Sequence, residues 1–288
     1  MKTLYDKKTK EGKRIGLPSY NSMLLKNNYQ SRHEVFIATP STGNIRMEWA
    51  MARFGQIIPC NWGYKCGVMW TPSFAPMGYL VADAQNHAVK KFLEEKCEWL
   101  FFIEHDNVLP PDCFLRFNDY IRSKKVPIVS GLYYTKSVPA EPMVYRGRGN
   151  SYHEDWKIGD KVWVDAVPMG CVIIHRSILE VMWNDSPEYM AGDQLTRRVF
   201  HTPEISWFDP QSGVNNSVGT SDMEFCARMI IDKVFERAGW KSFQKKKFPF
   251  LIDTNIFCGH IDPNGISYPS EFEKNYWKMD PKKRKELR

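Results

Sequence analysis

The chain has 288 residues, 43% of them hydrophobic and 25% charged, with a formal net charge of +7. That composition suits a soluble globular protein of one or two domains with a sizeable core. No apolar run approaches the roughly 20 residues of a membrane-spanning helix, and residues 1–13 are basic and polar, unlike a secretory signal. The seven cysteines stand apart with no CxxC pair, which disfavours a zinc ribbon or a thioredoxin-type site and points to buried thiols in a reducing, cytoplasmic setting. Much of the positive excess lies in Lys245-Lys246-Lys247 and in Lys282-Lys283-Arg284-Lys285, which read as solvated surface, with contact to a polyanion as the alternative.

Residues 1–32 are polar and weakly patterned and read as an N-terminal extension. Val35-Phe36-Ile37-Ala38 is a strand that runs into the loop Thr39-Pro40-Ser41-Thr42-Gly43-Asn44, and residues 45–54 predict a helix. Gly67-Val68-Met69-Trp70 reads as a second strand. Leu80, Val81, Ala84, Ala88, Val89, Phe92 and Leu93 then recur at helical spacing. Trp99-Leu100-Phe101-Phe102-Ile103 is too apolar for a one-sided strand and predicts a central parallel strand covered on both faces. Asp112 is placed to cap a helix running to Ser123, and residues 128–132 form another strand. The alternation of strands and helices argues for a mostly parallel sheet with helices on both sides.

The second half is less regular. Residues 143–145 and 161–164 read as sheet segments, residues 171–174 as a buried strand and residues 177–183 as a helix. A long helix is predicted over 221–239, a last strand over 250–253, and a charged, peripheral tail over 266–288. No P-loop and no GxGxxG motif occurs, which disfavours P-loop and dinucleotide enzymes, and Gly147-Arg148-Gly149 reads as a lone flexible loop.

The most informative residues are Glu104 and Asp106, two acids spaced two apart at the carboxyl end of the apolar strand. Ligands of open α/β sheets bind at that end. On an extended chain alternate side chains point the same way, so the two carboxylates would share one target. Oxygen ligands suit Mg²⁺ or Mn²⁺, and those ions suit a diphosphate.

An apolar strand, acid-x-acid, then Val108-Leu109-Pro110-Pro111-Asp112 and a helix resembles the DxD region of GT-A glycosyltransferases, family 2-like, in an E-x-D variant. Phe36-Ile37-Ala38-Thr39-Pro40 resembles the first strand and nucleotide loop of these enzymes, so the resemblance places Thr39 and Pro40 at the nucleotide. Gln85 stands where that family often carries an arginine near the nucleotide. Residues 130–134 resemble the strand after the DxD helix, and residues 167–176, led by Gly170, resemble the strand bordering the acceptor pocket. The likeness spans residues 34–262 and implies one GT-A domain (nucleotide-diphospho-sugar transferase-like) over 33–265. In it, 33–135 form the nucleotide-binding half and 136–265 the acceptor half.

By the same resemblance Asp106 is the direct metal ligand, and Glu104 contacts the metal's water shell or the nucleotide ribose. His260, after the last strand and Gly259, completes the metal site. Ser221-Asp222 stands where inverting members place an E-D pair, which makes Asp222 the candidate general base. In a retaining enzyme it would orient the acceptor or donor instead. Ser221-x-x-Glu224 reads as a capping box, with Glu224 facing the acceptor side. Trp207 is the best candidate to stack on a sugar or base; His33, His87, His153, His175 and His201 read as structural.

The function implied is metal-dependent transfer of a sugar from a UDP- or GDP-sugar, with Mn²⁺ or Mg²⁺, to a hydroxyl acceptor. A hydroxylated base in DNA, a glycan and a protein all stay open as acceptors. The alternatives are a sugar-nucleotide nucleotidyltransferase, against which the single Gly in residues 39–44 counts, and a non-catalytic sugar-nucleotide or glycan binder, which the Glu104 and Gln85 departures favour.

Overall fold

The computed structural model describes residues 32–41, 43–66, 79–146, 153–203, 205–209, 214–218 and 220–287. Residues 1–31, the strand predicted at 67–70, the 147–149 loop and the side chain of Trp207 lie outside the described residues. The chain opens with β1 (His33–Ala38), α1 (Met47–Phe54), β2 (Trp62–Cys66), α2 (Val81–Glu94), β3 (Trp99–Ile103), β4 (Asn107–Val108), α3 (Cys113–Ser123) and β5 (Ile128–Leu132). It continues through β6 (Lys161–Val164), β7 (Cys171–His175), α4 (Arg176–Asp185) and two hairpins, β8 (Glu188–Ala191) with β9 (Gln194–Arg197) and β10 (Ile205–Asp209) with β11 (Val214–Val218). Then come α5 (Ser221–Ile231), α6 (Val234–Arg237), α7 (Lys241–Gln244), β12 (Phe250–Phe257), β13 (Gly259–Ile261), β14 (Ser267–Tyr268), α8 (Glu271–Lys278) and α9 (Pro281–Glu286).

Seven strands form one mixed sheet in the order β2-β1-β3-β7-β5-β12-β6. Strands β1, β2, β3, β5 and β12 run one way, and β7 and β6 run against them. The sheet is mostly parallel, as the alternation in sequence leads one to expect, with antiparallel β7 lying between β3 and β5. Strand direction is not written in apolar content, since a strand buried on both faces reads the same either way.

Register explains how both faces are covered. Ile37 lies beside Phe101 and Phe36 beside Leu100, so Phe101 points to one face, and Phe36 with Phe102 to the other. Phe101 meets Phe114 and Phe117 of α3 at ring-centroid distances of 5.4 and 4.8 Å. On the opposite face Phe36 meets Phe92 of α2 at 6.2 Å, and Phe102 meets Phe200 at 5.8 Å. All of these rings are buried, each worth about 1.5–3 kcal/mol in transfer free energy. Cys97, Cys113, Cys171, Cys226 and Cys258 are buried free thiols, and Cys60 is exposed.

Several predicted elements shift. Asp112 sits at the N-cap of α3, but its side chain accepts from Arg116 Nε at 2.7 Å and does not cap. The helix predicted over 221–239 breaks at Lys233, whose φ is +53°. The apolar pattern runs across that break because Val234 and Phe235 are themselves buried. Residues 143–145 contribute a single bridge, from Tyr145 to Ala166, and no strand.

The segment read as a peripheral tail is held by the core. Trp277 is 4% exposed and stacks on Trp156 at 4.7 Å. Arg284, from the second basic run, is 3% exposed; it lies over the Trp277 ring at 4.2 Å and donates to the Glu154 and Trp156 carbonyls. A true capping box opens α8: Ser270 Oγ accepts from Glu273 N–H at 3.3 Å, and Glu273 Oε2 accepts from Ser270 N–H at 2.8 Å. No helix among the described residues is long and apolar enough to cross a membrane.

Candidate functional site

The chain leaves the end of β3 in a turn. Asn107 N–H donates to the Glu104 carbonyl at 3.1 Å, and the buried Trp49 ring N–H donates to the same carbonyl at 2.8 Å. The turn replaces the extended geometry expected at Glu104 and Asp106. Both acids line the same cavity.

Asp106 faces His260. Strand β13 pairs antiparallel with β4, with His260 opposite Asn107, and Ile261 N–H donates to the Asp106 carbonyl at 2.8 Å. This pairing sets His260 Nε2 3.4 Å from Asp106 Oδ2. His260 Nδ1 lies 2.6 Å from the Tyr134 carbonyl, which only a protonated Nδ1 can satisfy, so Nε2 is the ring nitrogen turned to Asp106. Lys136 Nζ stands 2.5 Å from the same Oδ2. Burial works against charge on Asp106, but the hydrogen bonds and charges of His260 and Lys136 outweigh it and hold the carboxyl well below the usual range.

The Glu104 N–H donates to the Gly170 carbonyl at 2.9 Å, which fixes the start of β7 beside the acid pair. Burial, then the charges of Asp222 and Asp106, push its carboxyl well above the usual range. Asp222, in the first turn of α5, accepts the Met169 N–H at 3.2 Å. Burial raises its pKa, and hydrogen bonds from Met169, Ser221 and Gln85 only partly offset that. Tyr133 joins this group: its OH accepts the Gly170 N–H at 2.8 Å, and its ring meets His260 edge-on at 5.3 Å. Burial and the nearby Glu104 and Asp222 charges push the Tyr133 hydroxyl well above its ordinary value.

Two cavities open on either side of residues 104–106. The smaller, about 120 Å³, is lined by Pro40, Ser41, Tyr79, Val81, Ala84 and the acid turn. The larger, about 350 Å³, is lined by Asn44, Ile45, Arg46, Lys136, Asp106 and Asp262 among others. A third cavity, about 380 Å³ and apolar, lies along α5 at Met223, Ala227 and Ile230, and it holds no acid from the cluster.

The structure therefore gathers Glu104, Asp106, Gly170, Asp222 and His260, with Pro40 on the cavity wall and Thr39 buried behind it. Gln85, expected beside the nucleotide, is fully buried, and Ser221 Oγ stands 3.0 Å from its Oε1 and 3.2 Å from Asp222 Oδ1. The capping box expected at Ser221 and Glu224 is absent. Thr220 is the N-cap, with no side-chain capping bond, and Glu224 pairs with Arg228 at 3.1 Å. No group of three His, Cys, Asp or Glu able to hold a metal occurs among the described residues. Lys136, Tyr133 and Tyr79 were missed by sequence reading. Lys136 follows the carboxyl end of β5, and that position is the one signal that marks it.

No protein-family model and no curated protein matches the chain. Among solved structures it is similar to the crystal structure of A197 from STIV, with TM-score 0.47 and 16% identity over 82% of this chain and 88% of that one. It is also similar to the crystal structure of S. aureus TarS, with TM-score 0.33 and 10% identity over 54% of this chain and 30% of that one.

Proposed function

We propose that the chain is a metal-dependent glycosyltransferase that moves a sugar from a UDP- or GDP-sugar to a hydroxyl acceptor. The observation that carries this reading is the meeting of Asp106 and His260 at the carboxyl ends of β3 and β5, with the half-buried Asp222 near Glu104. The E-x-D resemblance names the same residues. The smaller cavity, with Pro40 and Tyr79 on its walls, suits a nucleoside; the larger, with Lys136 and Arg46, suits its phosphates.

Asp106 and His260 fit a divalent ion as two ligands, one carboxylate oxygen and one imidazole nitrogen, leaving the other positions for phosphate oxygens and water. When bound, Mn²⁺ or Mg²⁺ would neutralise charge developing on the departing diphosphate. Asp222 removes the proton from the acceptor hydroxyl as its oxygen bonds to the anomeric carbon and the sugar–phosphate bond breaks. A pKa raised by burial makes Asp222 a stronger base than an exposed aspartate. The Met169 N–H holds that carboxylate, and the Tyr133 hydroxyl, through the Gly170 N–H, steadies the loop that carries Met169.

The test is hydrolysis of UDP- and GDP-sugars with and without Mn²⁺. The reading expects Mn²⁺-dependent release of nucleoside diphosphate, lost in Asp106→Ala. Turnover of a sugar-1-phosphate with a nucleoside triphosphate would replace it with the nucleotidyltransferase reading. Donor binding without turnover, when acceptors are supplied, would leave a binding protein.

A further inference from the structure

One cation at the candidate site belongs to the chain itself. Lys136 Nζ is 2.5 Å from Asp106 Oδ2, the oxygen that His260 Nε2 also faces. The backbone on either side of Lys136 is fixed: Thr135 N–H donates to the Glu141 carbonyl at 2.9 Å, Thr135 Oγ1 and Ser137 Oγ lie 2.7 Å apart, and Ser137 Oγ donates to the Pro139 carbonyl at 2.8 Å. The side chain has no such restraint. It is a four-carbon stem with a compact ammonium that re-aims at little cost. It lines the larger cavity, whose wall also carries Arg46 and His105.

A divalent ion ligated by Asp106 and His260 would need the oxygen that Lys136 already holds. Two positive centres sharing one carboxylate oxygen in a half-buried site repel strongly. The ammonium must then leave Asp106. Arg46 is already engaged by Glu48 at 2.9 Å and by the Pro263 carbonyl at 3.1 Å, so Lys136 is the cation on this wall whose present partner is the very oxygen the ion takes.

We infer that Lys136 is an exchangeable cation of the donor site: it neutralises Asp106 until a divalent ion takes that oxygen, then moves onto the donor's diphosphate. This inference rests on the reading of the site as one for a nucleotide-diphospho-sugar. It makes Lys136 a rival of the metal and an ally of the nucleotide, two effects of opposite sign that a structural ion pair would not produce.

The experiment compares the full-length wild type with Lys136→Met, which keeps the apolar stem, and with Lys136→Arg, which keeps the charge. Mn²⁺ is titrated alone by electron paramagnetic resonance. UDP and GDP are then titrated calorimetrically at saturating Mn²⁺. Lys136→Met should bind Mn²⁺ about tenfold more tightly, since its rival is gone, and the nucleoside diphosphate about tenfold more weakly, having lost a charge-assisted hydrogen bond. Lys136→Arg should restore nucleotide binding. Unchanged or weaker Mn²⁺ binding in Lys136→Met, or unchanged nucleotide binding, overturns the inference while leaving the donor site standing. A different outcome marks failure of the underlying reading: a wild type that binds neither Mn²⁺ nor nucleotide, or an Asp106→Asn protein that binds both as well as wild type, overturns both.

Discussion

His260 reaches Asp106 because one short ladder joins the turn after β3 to the strand after β12, and the Tyr134 carbonyl then fixes which ring nitrogen looks at the carboxylate. The Asp106 oxygen and His260 Nε2 are thus aimed at each other before any ligand arrives. Replacing His260 by Ala removes one of the two ligands while leaving the β4–β13 backbone pairing intact. Mn²⁺ affinity should fall by about 10–100-fold, the scale on which metal-site side chains act, with an unchanged circular dichroism spectrum. Undiminished Mn²⁺ binding would take His260 out of the metal site.

Asp222 is the candidate base, and its carboxyl is raised by burial. Asp222→Asn should lower kcat by about 10²–10⁴-fold with little change in donor KM. The sign of the pH dependence follows. The base works ionised, so kcat/KM falls as pH drops through its raised pKa, at a pH above the ordinary aspartate value of about 4. The Asp222 charge raises Glu104, not the reverse, so the limb belongs to Asp222 itself. It should vanish in Asp222→Asn, and a limb that persists there would assign it to another group.

Glu104 also costs stability. Its folded pKa lies well above its unfolded value of about 4.5. Between those two pH values the folded chain holds a proton that the unfolded chain has released, so stability falls as pH rises through that window. Glu104→Gln lacks this loss. At neutral pH the variant should be more stable by about 1–2 kcal/mol, the scale of a poorly compensated buried polar group, and less active. Calorimetry at two pH values measures it; a variant less stable than wild type at neutral pH would contradict the burial argument.

The site was legible where chemistry and position coincide in sequence. Glu104, Asp106, Asp222 and His260 each follow or open an apolar element, and the resemblance gave them an order. What stayed hidden depends on contacts between distant segments. Lys136 is one lysine among many until β5 and β3 set it beside Asp106. The turn at 104–106 is held by Trp49 and by backbone bonds, and Asp106-Asn107 after an apolar strand fits a turn as well as the extended chain that the acid spacing suggests. The break at Lys233 is hidden by apolar residues that continue on its far side.

Gly170 joins the two halves of the site. A Cβ there would stand 2.6 Å from the Tyr133 hydroxyl and would also collide with Asn107 Nδ2. Gly170→Ala must therefore push Tyr133 off the Gly170 N–H and disturb the wall between Glu104 and His260. The expected cost is about 1–3 kcal/mol of stability, as for other overpacked cores, with a fall in kcat. Thermal unfolding and steady-state kinetics read both. Wild-type values in each would mean that the wall gives way freely and does not hold the site in place.

The C-terminal helices provide a test of the fold itself. Charge made residues 266–288 read as a tail, since four basic residues in a row usually face water. Yet Trp277 is buried between Trp156 and Arg284, and Ile158 N–H donates to the Trp277 carbonyl at 3.0 Å. The pattern concealed this because Trp277 and Arg284 turn inward from a segment most of whose charged residues face water. Trp277→Ala should cost about 3–5 kcal/mol, the scale for deleting a buried Trp. The effect should spread, because the Glu273 carboxylate accepts the Ala140 N–H at 2.6 Å and so ties α8 to the loop that carries Lys136. Unfolding midpoints in urea give the cost, and Mn²⁺ affinity in the folded variant gives the spread. A midpoint within error of wild type would return residues 266–288 to the status of a surface appendage.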